Sequence, residues 1–165
     1  MGEDLIPAER PSRRRARTRE GISDDRVAIR IFALADYADN AGGKILMAGG
    51  GITQVFLQKL PGPLPRLFLV VRVRVPWTMR AEPHTLRLRL LDADRQPVAA
   101  GSDKLVDGRA ELGTPPGFHA GDELHIDAIL GFEGIPVQKE ETIYFHLVVD
   151  EQEIGRLPLK VRQLR

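Results

Sequence analysis

The chain has 165 residues, 28% of them charged and 42% hydrophobic, with a formal net charge of +1 and no cysteine. That length and balance predict one well-buried globular domain and are short for two. Near-zero net charge gives no global field for nucleic acid or a membrane. The lack of cysteine excludes disulfides, thiolate zinc sites and cysteine nucleophiles. No apolar run reaches membrane-spanning length, and the start of the chain lacks the hydrophobic core of a signal peptide, so the expected location is the cytoplasm, without membrane contact.

Residues 1–25 stand apart. Arg10, Arg13, Arg14, Arg15, Arg17 and Arg19 crowd a stretch that holds no acid and almost nothing apolar, and Pro7 and Pro11 oppose regular structure. Such a segment cannot bury enough area to offset its ordering entropy, so a flexible, disordered arm is expected. Arg13, Arg14 and Arg15 would be the residues to meet nucleic-acid phosphates. Against this, Glu3, Asp4, Glu9, Glu20, Asp24 and Asp25 flank and neutralise the arm, and no aromatic is interleaved for base stacking. The reading taken is a solvated tail.

The stretch from Val27 to Leu57 sets the pattern for the rest of the chain. Val27, Ile29 and Ile31 alternate with Ala28 and Arg30, the period of a half-buried strand, and Ile31 to Ala35 are all apolar, as in a strand covered on both faces. An amphipathic helix over Val27 to Asp39 is the competing reading, and the alternation decides for strand. Asp36 to Asn40 are read as a polar turn, with a reversal at Asn40-Ala41-Gly42-Gly43. Lys44 to Ala48 then return as a short buried strand. Gly49, Gly50 and Gly51 mark a bulge, bend or close approach before Ile52 to Leu57 extend again. Gly50→Val, at the middle of the run, is expected to distort the turn joining Lys44–Ala48 to Ile52–Leu57, the alternative being that the glycines let a partner's backbone approach closely.

The order Ala35-Asp36-Tyr37-Ala38, then Gly42 to Ile52 (GGKILMAGGGI), then His84 to Asp94 (HTLRLRLLDAD) resembles a family of uncharacterised bacterial proteins of about this length. The shared pattern is an acidic-Tyr-Ala segment, a Gly-Lys strand start and a Gly-Gly turn in a β-rich body, over about Val27 to Val161. The resemblance implies a β-sandwich. It implies no established activity and carries no functional residues.

Further strands follow in series. Pro61 to Pro65 form a rigid connector. In Arg66 to Val75, Leu67, Leu69, Val71, Val73 and Val75 share one face, with Arg72 and Arg74 on the other. Thr85 to Leu91 repeats this, with Leu86, Leu88 and Leu90 inward and Arg87 and Arg89 outward. Asp92 to Pro97 turn the chain into Val98 to Ala100. If the two long strands paired with Val73 opposite Leu88, four arginines would face each other, which is destabilising unless carboxylates, an anionic partner or a different strand order answers them. Glu123 to Leu130, Thr142 to Val149 and a last strand through Leu157, Leu159 and Val161 complete the pattern, with Pro158 pointing to an edge. About eight or nine strands between Gly/Pro turns predict an all-β, two-layer antiparallel sandwich of immunoglobulin-like kind over residues 26–165.

Chemical motifs are sparse. Gly49-Gly50-Gly51 precedes a strand rather than a helix, so it is no phosphate cradle, and Gly42-Gly43-Lys44 lacks the spacing of a P-loop. Ser12, Ser23 and Ser102 sit in no nucleophile elbow. Asp92 and Asp94 share a turn, but calcium needs six to eight oxygens and turn carboxylates commonly bond backbone amides. His125 and His146 would become cross-strand neighbours if Ile126 opposed Phe145, and with Asp127 they could hold zinc. Two exposed histidines on a polar face are the plainer account, and no cofactor is expected.

The function expected is a non-enzymatic binding or assembly module acting on a protein partner or a second copy of itself. Its candidate contact residues are Gly49, Gly50, Gly51, Arg72, Arg74, Arg87 and Arg89. The rivals are a metal-dependent or unrecognised enzyme using His125, His146 and Asp127, and anionic-ligand binding through the arm and the arginine faces.

Overall fold

Alternation of apolar residues keeps most of this chain extended. The computed structural model describes residues 25–165, and the Arg-rich arm, with Arg13, Arg14 and Arg15, lies outside the described residues. In chain order the strands are β1 (Ala28–Ala35), β2 (Tyr37–Ala41), β3 (Lys44–Ala48), β4 (Gln54–Leu57), β5 (Gly62–Pro63) and β6 (Leu67–Val75). They continue with β7 (Pro83–Leu91), β8 (Val106–Glu111), β9 (Leu124–Phe132), β10 (Pro136–Val137), β11 (Glu141–Val149) and β12 (Gln152–Gln163). The only helical pieces among the described residues are the single 3-10 turns Trp77–Met79 and Ser102–Lys104.

Two sheets carry the core. One is antiparallel in the order β1-β6-β9, and the other has five strands in the order β4-β12-β11-β7-β8. The second is antiparallel except where β4 runs parallel to the end of β12. Leu69, Val71 and Val73 of β6 join Leu88 and Leu90 of β7 and Phe145 and Leu147 of β11 in a single buried cluster. The inward sets read from the alternation of β6 and β7 are all buried, as are Ile143, Phe145, Leu147 and Val149 of β11. Burying such a row is the main favourable contribution to folding, since each fully buried Leu or Val is worth about 1.5–3 kcal/mol.

The loss of alternation in β1 has a local cause. Ile29 pairs with Val73 and Ile31 with Arg72, so Arg30 is an extra residue bulged out of the ladder. The bulge reverses which positions point inward. Ile29 packs on the core before it and Phe32 and Leu34 do so after it.

Several expectations are corrected. Asp36 to Asn40 are not a turn: Tyr37–Ala41 is strand β2, which pairs with β3 as a hairpin. The reversal itself falls where expected, with Gly42 at φ +59° and Gly43 at φ +76°, the left-handed pair that a two-residue hairpin demands. Lys44–Ala48 is a strand but not a buried one, for Leu46 is 56% and Met47 40% exposed. Val98 to Ala100 form no strand, and the sheet is extended instead by Val106–Glu111. With β2, β5, β8 and β10 added, the strands exceed the eight or nine expected.

The two long arginine-bearing strands do not pair, because β6 lies between β1 and β9 while β7 lies between β11 and β8. Pro158 is half an edge residue: β12 pairs with β11 along its length, but with β4 only from Lys160 onward. The missing N–H therefore falls before the second partner begins.

Candidate functional site

The four arginines of β6 and β7 divide between two sheets and meet different fates. Arg72 faces Asp127 across β6 and β9, and its Nε and Nη2 each donate to the carboxylate at 2.7 Å. That hydrogen bond outweighs burial and holds the Arg72 guanidinium above its ordinary pKa. Arg74 donates to the Arg26 carbonyl at 3.1 Å. Arg87 donates from Nε to Asp107 and from Nη1 to Glu151, each at 3.2 Å. Arg89, half-buried on β7, makes no hydrogen bond or ion pair through its side chain to the described residues.

Around Arg89 the outer face of the five-stranded sheet forms a cleft of about 330 Å³. Arg87, Arg89, Arg95 and Lys104 line it with Asp103, Asp107 and the apolar Leu91, Pro97 and Val106. Local bonding fixes its walls. Asp92 Oδ1 accepts from the backbone N–H of Asp94 at 2.9 Å and of Gln96 at 2.8 Å, which shapes the turn holding Arg95 at φ +62°. Buried Ser102 donates to the Leu90 carbonyl at 2.9 Å and accepts from the Ala99 N–H at 3.1 Å, tying the loop with Lys104 onto β7.

Beside the cleft, Arg95 is ion-paired with Glu153, whose Oε2 also lies 3.0 Å from His146 Nδ1. Burial pushes the Glu153 carboxyl up, but hydrogen bonds and charge from His146 and Arg95 outweigh it and hold the group below the usual carboxylate range. His146 is opposite Arg89 in the ladder and only 1% exposed, with no hydrogen-bond partner at Nε2.

The expected zinc trio is not assembled. His125 and Asp127 stand on β9, while His146 stands on β11 in the other sheet. His125 Nε2 pairs with Glu123 at 3.3 Å, Asp127 is taken by Arg72, and His146 is buried rather than exposed. No group of three His, Cys, Asp or Glu side chains among the described residues could hold a metal ion, the Asp92–Asp94 turn included.

Sequence reasoning missed His84. It is buried at the start of β7, with Nδ1 2.7 Å from Asp150 Oδ2 and Nε2 3.1 Å from the Met79 carbonyl. Asp150 Oδ1 also accepts from the Thr85 N–H at 2.9 Å. Both ring nitrogens face acceptors, so the pair ties the end of β11 to β7 and leaves no nitrogen for a substrate. A His and an Asp 66 positions apart gave no local signal.

The glycine run joins β3 to β4 and folds back on β1. The N–H groups of Gly51 and Ile52 donate to the Leu34 carbonyl at 2.8 and 3.1 Å. Gly49 (φ +62°) and Gly51 (φ +86°) have left-handed backbone, whereas a Cβ on Gly50 would meet only the flexible end of Met47. The left-handed backbone requirement therefore falls on Gly49 and Gly51, and the requirement at Gly50 is space beside Met47. The ribbon that this loop anchors leans through β2 on β6 and β9, with the Tyr37 ring edge-on to Phe68 at 5.4 Å. Strand β3 pairs with β2 alone, so among the described residues its other edge has no strand beside it.

The model of a family of unknown function, DUF6941, matches residues 30–162, nearly the span over which the motifs carry the resemblance, and the chain belongs to that family. No curated protein matches the chain. Among solved structures it is similar to Pseudomonas fluorescens alkylpurine DNA glycosylase AlkC bound to DNA containing an abasic site analog, at 12% identity and a TM-score of 0.41. That likeness covers 82% of this chain and 30% of the glycosylase.

Proposed function

We propose that this member of the DUF6941 family is a non-enzymatic assembly module, an immunoglobulin-like sandwich of cytoplasmic location that joins a second copy of itself through β3. The observation that carries the reading is the β2–β3 ribbon. It stands outside both main sheets, has one strand edge without a partner among the described residues, and exposes Leu46 and Met47. An open edge with apolar side chains is a template for strand addition, and natural folds usually blunt such edges unless they are used. The sequence suits a two-fold pairing. With Leu46 at the centre of Lys44–Ala48, antiparallel addition places Leu46 beside its mate and Lys44 beside Ala48, so no like charges meet.

Sedimentation equilibrium of the full chain at rising concentration tests this. Wild type should pass from monomer to dimer, and Leu46→Asp should stay monomeric with an unchanged melting curve. A wild-type chain that remains monomeric at every concentration would overturn the reading.

A further inference from the structure

We propose that the cleft around Arg89 binds a phosphomonoester group carried by a small molecule. Four cations line it against two carboxylates. Arg87 is already engaged by Asp107 and Glu151, and Arg95 by Glu153. Arg89, Lys104 and the Asp103 carboxylate on the same lining have no side-chain partner among the described residues, so two cationic heads stand open to a ligand with one carboxylate beside them. A half-buried guanidinium without an acceptor is costly, and two carboxylates line the same cleft. Asp107 instead bonds Arg87, and Asp103 bonds neither free cation.

Two cations without a side-chain partner among the described residues can each donate to an oxygen of one phosphate group. The Arg89 fork supplies directed donors to phosphate oxygens, and Lys104 supplies a mobile point charge at the rim. The walls are held before any ligand arrives, by the Ser102 bonds on one side and the Asp92 turn on the other, so little ordering is lost on binding. Leu91, Pro97 and Val106 give the cleft an apolar side, which suits the organic part of an ester. No aromatic ring lines it, and single-stranded nucleic acid would want stacking platforms along an extended track. A small phosphorylated molecule fits these features better than a polynucleotide.

Isothermal titration of the full chain with phenyl phosphate, inorganic phosphate, benzoate and a single-stranded oligonucleotide tests the proposal. Phenyl phosphate should bind, inorganic phosphate more weakly, and benzoate more weakly still. Arg89→Ala and Lys104→Ala should each weaken phenyl phosphate by about tenfold or more, the size of a lost charged hydrogen bond. Arg109→Ala, an exposed cation paired with Glu111 outside the cleft lining, should leave it within about twofold. Lys104 is exposed, so its variant keeps the test valid if Arg89→Ala fails to fold. Absence of phenyl phosphate binding, or binding that neither variant weakens, would overturn the proposal. Equal affinity for inorganic phosphate would overturn the ester, and Arg89-dependent binding of the oligonucleotide alone would overturn the small molecule.

Discussion

Arg72 and Asp127 are each other's partners: the guanidinium grips the carboxylate with two bonds of 2.7 Å across neighbouring strands of the three-stranded sheet. Taken separately in the sequence, one belonged to a contact face and the other to a metal trio. Together they form a planar two-point pair, the geometry in which an arginine ion pair contributes most.

The pair sits at the outer face with side chains 25% and 17% exposed, so water screens it only in part. Arg72→Ala should cost about 1–2 kcal/mol in urea denaturation, as should Asp127→Asn. The double variant should cost clearly less than the two losses added, because one interaction is removed twice. Strict additivity would show that the two residues do not support each other.

Leu88 and Arg87 are neighbours on β7 with opposite environments, one buried in the core and the other half-buried on the outer face. Leu88→Ala should cost about 2–5 kcal/mol, because a central position cannot collapse around the cavity. Arg87→Ala loses contacts to Asp107 and Glu151 that are largely solvated, and should cost clearly less than the core variant. Chemical denaturation of both variants reads the difference, and equal losses would mean the inward face is misassigned.

The strand faces were legible because period-2 alternation is local: Leu86, Leu88 and Leu90 carry their own assignment. Partnering was not legible, because strand order depends on contacts far apart in sequence. His125 and His146 occupy strands close in sequence that end up in different sheets. Tyr37–Ala41 escaped notice because its side chains are polar or small, and only its hairpin bonding to Lys44–Ala48 makes it a strand. The cleft was half visible. Arg87 and Arg89 announced an arginine face, whereas Arg95 and Lys104 reach it only through loops whose shape rests on Asp92 and Ser102.

The glycine run separates backbone need from spatial need. Gly49 and Gly51 hold left-handed angles, while Gly50 faces only the tip of Met47. Gly51→Ala should therefore lower stability by about 1 kcal/mol or more, although open space surrounds its Cβ. Gly50→Ala should cost less, since Met47 can swing away. Thermal melts that ranked Gly50→Ala as the worse variant would contradict the assigned angles.

Acid should weaken the fold through Glu153 and spare it through Glu141. The Glu153 carboxyl is held below its ordinary value of 4.5 in the folded chain, burial being outweighed by His146 and Arg95. A lowered folded value means the folded chain favours the charged form. The stability it contributes is present above pH 4.5 and is lost as pH falls below 4.5 through the folded value. Glu141 runs the other way: burial raises it above 4.5, outweighing Lys139, so its charged form disfavours the fold as pH rises through that raised value. In urea titrations at pH 7, Glu153→Gln should be less stable than wild type by about 1 kcal/mol or less, the scale of partly exposed pairs. Glu141→Gln should be equal or slightly more stable. Both differences should shrink as pH falls, the Glu141 one as it passes that raised value and the Glu153 one only below 4.5 as it passes the lowered folded value, where each wild-type carboxyl takes up its proton. A Glu153→Gln deficit that does not begin to shrink below pH 4.5 would show that the residue acts through shape or hydrogen bonding rather than charge.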